Sequence, residues 1–310
     1  MMVSPDIFLI GAAKAGTTTI SDWMAMNPKI ALARIKESNY FSKEIDPNNF
    51  SKAFSSISPS IPSKYWEGDK LEFRHQGFIK DSQSYARIFE HSQEGQKLAD
   101  CSTSYFWSKK APDLIKKKSP NAKVLLILRN PVDRAWSHYR MARKYGLTQE
   151  GFLKELEKDF LSESVWGRSQ NFYHLSCYSE SLTRWMQNFD KSQLKIEIYE
   201  SFFDDPQENW DRVCDFFGVE ANSISELDKK HESQDPRSPK IQKLIFKMNL
   251  KSIRLFIPEK LYFYLKNLLF YKKPEVLSSE IRNKAMKYFT NDIDRLETLM
   301  GRSLSLWNQH

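Results

Sequence analysis

Short apolar runs alternate with amphipathic stretches along this chain, and the alternation predicts its fold class. Asp6-Ile7-Phe8-Leu9-Ile10 and Lys123-Val124-Leu125-Leu126-Ile127-Leu128 read as strands buried on both faces. Residues 30–35, 97–102 and 195–199 add three more strands. Helices fall between them. One starts near Thr17 and stops before Pro28, a second covers 108–118, and a third starts at Pro131, where a missing N–H costs nothing. Tyr178, Leu182, Trp185 and Phe189 share one helical face. Asp205-Pro206 reads as an N-cap followed by proline at the first helical position, with the helix running to Phe217 and ending at Gly218. The tail, 278–300, has a helical period through Ile281, Ala285, Tyr288, Leu296 and Leu299. Residues 42–64, rich in Ser, Asn and Pro, predict loop or short irregular helix. Strand–helix alternation of this kind predicts a parallel sheet covered by helices on both faces.

The 310 residues suit one α/β domain spanning 1–310, with a basic, aromatic segment at about 229–273 whose proline-bounded pieces read as helical. A 40% hydrophobic content supports a large core and excludes global disorder. The formal charge of +8 favours polyanionic partners: phosphates, acidic polysaccharide, nucleic acid or an anionic membrane surface. The aromatics follow core periodicity rather than forming a stacking platform, which argues against nucleic acid. Cys101, Cys177 and Cys214 are far apart and odd in number. They predict reduced thiols rather than a disulfide framework or a metal site. The first residues lack a basic region ahead of an apolar core, and no run reaches transmembrane length. A cytoplasmic protein is the expectation, with peripheral membrane contact left open.

The first candidate chemistry follows the first strand. Gly11-Ala12-Ala13-Lys14-Ala15-Gly16-Thr17-Thr18-Thr19 places small residues, a lysine and three threonines where a helix begins. Small residues let backbone N–H groups approach an oxyanion, and the helix N-terminus adds partial positive charge. A Walker A loop has its lysine directly after the last glycine. Here Lys14 precedes Gly16, so nucleotide-dependent phosphotransfer is the weaker reading. A binding protein for nucleotide or polyanion, without chemistry, is the other alternative.

These residues resemble the PAPS-dependent sulfotransferases, in which a Lys-x-Gly-Thr-[Thr/Ser] loop binds the 5′-phosphosulfate of 3′-phosphoadenosine 5′-phosphosulfate. Here the loop reads Lys14, Ala15, Gly16, Thr17, Thr18, with Thr19 following. A second signature of the family is a strand ending in arginine with a serine eight residues later, both on the 3′-phosphate. Arg129 and Ser137 fit it. Lys36-Glu37-Ser38-Asn39-Tyr40-Phe41 and Asp100-Cys101-Ser102-Thr103-Ser104-Tyr105-Phe106 look like further segments of the heparan-sulfate type and its bacterial relatives. The similarity runs over nearly the whole chain, to Trp307.

The resemblance implies a P-loop-like three-layer α/β fold with a central parallel sheet flanked by helices. It implies transfer of a sulfuryl group to a hydroxyl or amine, with PAPS as co-substrate, PAP as product and no metal. Lys14 would stabilise the leaving phosphate and Glu37 would be the base. Asp100 is the reserve base or an acceptor contact, since no histidine occurs between Asp100 and Tyr105. A late loop over the 3′-phosphate would fall at 231–240, through Arg237 and Ser238. Cys101 and Thr103 stand where the heparan-sulfate type has an acceptor-contacting lysine and a proline. Acceptor identity therefore does not carry over, and an acidic or a neutral glycan or another alcohol remains open.

Overall fold

The computed structural model describes residues 3–58, 60–224, 235–236, 270–271 and 275–308. The chain begins with β1 (Ile7–Gly11), α1 (Thr17–Met26), β2 (Ile30–Leu32), β3 (Ile35–Glu37), α2 (Lys52–Ile57), β4 (Arg74–Gln76) and α3 (Ser82–Arg87). It continues through β5 (Lys97–Cys101), α4 (Ser104–Trp107), α5 (Ala111–Lys118), β6 (Lys123–Leu128) and α6 (Pro131–Lys144). After these come α7 (Phe152–Phe160), α8 (Ser179–Asn188), β7 (Leu194–Ile198), α9 (Tyr199–Phe202) and α10 (Pro206–Phe217). The last two are α11 (Ser279–Met286) and α12 (Thr290–Met300).

Five strands make one parallel sheet in the order β2-β5-β1-β6-β7. Ile7, Phe8, Leu9 and Ile10 are all fully buried, as are Val124 through Leu128. Side chains on a strand alternate between faces, so complete burial means that helices cover both sides. This is the α/β architecture expected from the apolar runs. The chain fills one side of β1 with β2 and β5, then crosses to β6 and β7 on the other. The carboxyl end of β1 is therefore a topological switch point, where open α/β sheets take ligands.

Three sequence expectations change. Residues 30–35 are not one strand. Ala33 N still bonds Ala99 O at 2.9 Å, but Arg34 N turns to Ile88 O at 3.0 Å. The chain then leaves the main sheet, and β3 pairs in parallel with β4 instead. The helix expected at 108–118 starts at Ala111; Ser108 Oγ accepts from Lys110 N and Ala111 N, at 3.2 and 3.0 Å, and holds the turn that precedes it. The C-terminal helix is broken in two. Phe289 turns fully into the core and stacks on Tyr173 with ring centroids 5.6 Å apart, which interrupts the helical path between α11 and α12. Of the basic segment expected at about 229–273 to be helical, only Asp235–Pro236 and Phe270–Tyr271 are among the described residues, and these pair as short antiparallel strands.

Other elements follow their local chemistry. Asp205 Oδ1 accepts from Glu208 N, Pro206 opens α10, and Gly218 closes it at φ +70°. Tyr178, Leu182, Trp185 and Phe189 form one buried face, as their spacing requires. Trp23, Trp185, Trp210 and Trp307 are fully buried, each contributing on the order of 2–3 kcal/mol of apolar burial.

Beneath the carboxyl edge of the sheet lies a buried cation. Arg134 of α6 is fully buried; its Nε donates to Ser176 Oγ at 2.6 Å and its Nη2 to Phe172 O at 2.8 Å. Burial lowers its pKa to about 10, while Asp159 acts in the opposite direction. Asp159 also accepts from the main-chain N–H groups of Asn171 and Tyr173, at 3.1 and 2.7 Å. Arg134 and Asp159 thus hold the 171–176 segment from two sides. Replacing Arg134 with alanine should cost about 3 kcal/mol of unfolding free energy, since a buried cation's hydrogen bonds to Ser176 Oγ, Phe172 O and Asn171 O are lost together. Urea unfolding measures this. A loss below about 0.5 kcal/mol would mean that the segment is held by other contacts.

Candidate active site

The loop between β1 and α1 is built to receive an anion. Gly16 sits at φ +79° as the N-cap of α1, and no side chain caps that end. The N–H groups of the first helical turn have no intrahelical partner, so they are free to meet an oxyanion. A Cβ on Gly16 would lie 2.6 Å from the Phe203 ring and 3.2 Å from Tyr199, so glycine lets those rings close over the loop. Lys14 also takes a left-handed φ, +72°, at a cost of about 1 kcal/mol for a residue with a Cβ. Its main-chain oxygen accepts from Arg129 Nη1 at 3.0 Å, and its Nζ lies 3.6 Å from Met141 Sδ on α6.

Arg129 stands at the carboxyl end of β6. Its guanidinium lies 4.5 Å over the Tyr199 ring, and its buried Nε has no hydrogen-bond partner in the protein. Tyr178 is core, but its hydroxyl donates to Arg129 O at 2.9 Å and fixes that turn. Asn130 caps α6 by accepting from Val132 N at 3.0 Å, and its Nδ2 donates to Trp307 O at 2.9 Å. Ser137 and His138 follow on α6. His138 is half-buried, lines the cavity and packs against the Phe172 ring at 5.1 Å; desolvation, then Arg134 and Lys14, hold its pKa well below the usual histidine value.

Lys14 Nζ is itself mostly buried, and its pKa is lowered to about 8, first by burial and then by Arg129, Arg134, Lys144 and Arg140. Buried cations that repel one another fit a polyanionic ligand, whose charge would relieve the repulsion.

Lys14, Gly16, Thr17, Thr18, Thr19, Arg129 and Ser137 all line one cavity of about 910 Å³. Ala15 does not; its methyl is fully buried, so it can offer only backbone. Glu37, at the end of β3, lines the same cavity. Its Oε2 accepts from Thr103 N at 2.7 Å and Thr103 Oγ1 at 3.2 Å, and its Oε1 lies 3.1 Å from Lys36 Nζ. The carboxylate is therefore held in one orientation on the cavity wall.

Asp100 is placed differently from the sequence expectation. It is fully buried, does not line the cavity, and accepts hydroxyl hydrogen bonds from Ser38, Ser102, Tyr85 and Tyr105. Burial raises its pKa to about 6 against the lowering effect of those hydroxyls. Asp100 anchors Ser38, the neighbour of Glu37, and is not positioned to touch an acceptor. Arg237 and Ser238 lie outside the described residues. Among the described residues no group of three or more His, Cys, Asp or Glu is arranged to hold a metal ion.

Sequence reasoning missed His75 and Gln76. Both line the cavity from β4, the partner of the strand that ends in Glu37. Burial and the Lys36 charge lower the His75 pKa, opposed by Glu37 and Asp22. Strand β4 has three residues and no apolar pattern, so only its pairing identifies it.

This fold and cavity define an α/β protein with a cation-lined cavity at a strand–loop–helix junction. The chain matches the family model described as "Sulfotransferase domain" over residues 4–287, and it belongs to that family. Among curated proteins it is 27% identical over 137 residues to human heparan sulfate glucosamine 3-O-sulfotransferase 6, covering 44% of this chain and 39% of that protein. It is 22% identical over 218 residues to human heparan sulfate glucosamine 3-O-sulfotransferase 3B1, covering 69% of this chain and 46% of that one. These matches span less than half the length of either relative. Among solved structures, a sulfotransferase from Alicyclobacillus acidocaldarius has the same fold, with a TM-score of 0.65 at 21% identity, covering 99% of this chain and 100% of that chain.

The depressed Lys14 pKa sets a pH dependence for anion binding. A bound phosphate raises that pKa, so binding takes up a proton once the free lysine has lost its own. PAP affinity should be flat between about pH 7, where the phosphate groups of PAP are fully ionised, and the free-state lysine value of about 8. Above it, affinity should fall by up to about tenfold per pH unit. Calorimetric titration across that range checks this. Affinity that rises with pH there would contradict the assignment of Lys14 to the anion.

Proposed function

We propose that this chain, as one domain over 1–310, is a PAPS-dependent sulfotransferase that moves a sulfuryl group to an acceptor hydroxyl. The observation that carries the reading is one cavity lined by the Lys14 loop, the Arg129–Ser137 pair and Glu37 together. The unpartnered Nε of Arg129 and the crowded cations support a donor with two separate phosphate groups. Bound PAPS would supply the activated sulfuryl group and a phosphate leaving group. Thr17, Thr18, Thr19 and the backbone amides of α1 hold the phosphosulfate, and Arg129 with Ser137 holds the 3′-phosphate. Lys14 places positive charge where the leaving oxygen gains negative charge. Glu37 takes the acceptor proton, with Thr103 and Lys36 fixing its direction. The reaction is an in-line displacement. A lysine two residues ahead of Gly16 disfavours Walker-type phosphotransfer. The free thiols Cys101, Cys177 and Cys214 support a reducing compartment such as the cytoplasm. No helix among the described residues is long and apolar enough to cross a membrane.

Two measurements test the reading. PAP at about 100 times its Kd should stabilise the fold by about 2.7 kcal/mol, seen as a raised Tm, while ATP at equal concentration does less. Absence of any PAP response would remove the donor assignment. Glu37→Gln should keep PAP affinity within about twofold while kcat falls on the order of 10²–10⁴. Lys14→Ala should lower kcat by a similar or larger factor and weaken PAP binding. Full turnover by Glu37→Gln would move the base elsewhere, with His75 next in the cavity.

A further inference from the structure

The two ends of the cavity differ in chemistry. Lys14, Arg129 and Arg140 gather at the loop end, close enough for both arginines to depress the lysine. A second wall of the same cavity carries Phe50, Phe54, Ile57 and Trp166, and Gln76 and Gln170 line the cavity as well. Among the described residues lining that wall there is no arginine or lysine. Lys36 also lines the cavity, but its side chain is only 3% exposed and is paired with Glu37 at 3.1 Å. Arg168, flanked by two lining residues, does not line the cavity and donates its Nε to Asn49 O at 2.8 Å.

That wall is assembled from two distant segments. Ser51 N donates to Gly167 O at 2.9 Å. The Phe50 ring rests on Gly167, at φ +81°, where any Cβ would come within 2.1 Å of the ring. Phe50 also meets the edge of Phe78 at 5.2 Å, and Trp166 packs against Trp107 at 5.4 Å. Gln76 Nε2 donates to Ser58 Oγ at 3.3 Å, which joins β4 to the same wall. The aromatic rings are only partly buried, so the assembled wall presents them to the cavity.

We propose that the acceptor is an uncharged alcohol with an apolar face, of which a neutral glycoside is the simplest example, rather than a sulfated or carboxylated glycan. This rests on the reading of the site as a PAPS-dependent sulfotransferase. A polyanionic acceptor would bring charge against aromatic rings and the Glu37 carboxylate, with no arginine or lysine among the described residues of that wall to offset its desolvation. A neutral sugar or comparable alcohol has the opposite needs. Its C–H face packs on Trp166 and Phe54, and its spare hydroxyls reach the Gln76 and Gln170 amides. One hydroxyl is then left to Glu37.

The test uses the full chain with octyl β-glucoside as the uncharged probe and an N-sulfated heparosan oligosaccharide as the polyanionic one. PAP binding is first established by calorimetry, and transfer from labelled PAPS is then measured to each probe. The expected result is sulfation of the glucoside, with its KM unchanged within about twofold between about 50 and 500 mM salt, because no acceptor charge is screened. Trp166→Ala and, separately, Phe54→Ala should raise the glucoside KM by about tenfold while leaving the PAPS KM within about twofold, a loss typical of one aromatic contact. PAP binding with preferential sulfation of heparosan, or with no glucoside product, overturns the acceptor class and leaves the donor assignment standing. A glucoside KM unmoved by both substitutions also overturns it. Failure of PAP binding itself removes the donor reading and this inference with it.

Discussion

The 3.0 Å bond from Arg129 Nη1 to the Lys14 main-chain oxygen is the join on which the site depends. It links the carboxyl ends of β1 and β6, strands already paired in parallel through the centre of the sheet. Everything around it fixes one partner or the other. Tyr178 holds the Arg129 carbonyl, and Glu200 accepts from Asn130 N at 2.9 Å and from Trp307 Nε1 at 3.0 Å. The price is electrostatic. Bringing Lys14, Arg129, Arg134 and Arg140 together in a mostly buried space depresses the lysine. That cost is relieved by an anion, so the frame that assembles the cations also creates the drive to bind one.

The two segments proposed to bind anions were legible in the sequence because each is local. In both, a strongly apolar strand runs directly into a loop and then a helix, and the chemistry sits at the junction. Glu37 was legible only through its motif. Its strand is three residues long, and its partner β4 lies far along the chain with polar residues Arg74, His75 and Gln76. Pairing over that separation leaves no periodicity to read, so His75 went unseen. Asp100 was misplaced for a related reason. It lies three residues before Thr103, but the chain turns at the end of β5 between them. Thr103 therefore enters the cavity beside Glu37 while Asp100 goes beneath it. Arg134 was missed because an arginine on an amphipathic helix reads as exposed. Only the surrounding acceptors at Phe172 and Ser176 make its burial affordable.

Arg134 explains why the two chemically different ends of the cavity belong to one frame. It and His138 lie four residues apart on α6 and meet the same segment. Arg134 bonds Phe172 O, and His138 packs on the Phe172 ring at 5.1 Å. Helix α6 also carries Ser137 and Arg140 to the cation-rich end. From Phe172 the contacts continue outward. Asn171 Oδ1 accepts from Ser164 Oγ at 2.8 Å, and Ser164 Oγ accepts from Trp107 Nε1 at 3.0 Å. Trp107 then supports Trp166, and Gly167 seats Phe50. A continuous path of packed and hydrogen-bonded groups thus runs from the cation-rich end to the aromatic wall. A shift of α6 would disturb a buried arginine, so the loops that carry Phe50 and Trp166 are tied to the core through Arg134. A cavity framed this way discriminates by charge and shape together, because a ligand that misplaces its anion cannot be accommodated by moving the aromatic wall.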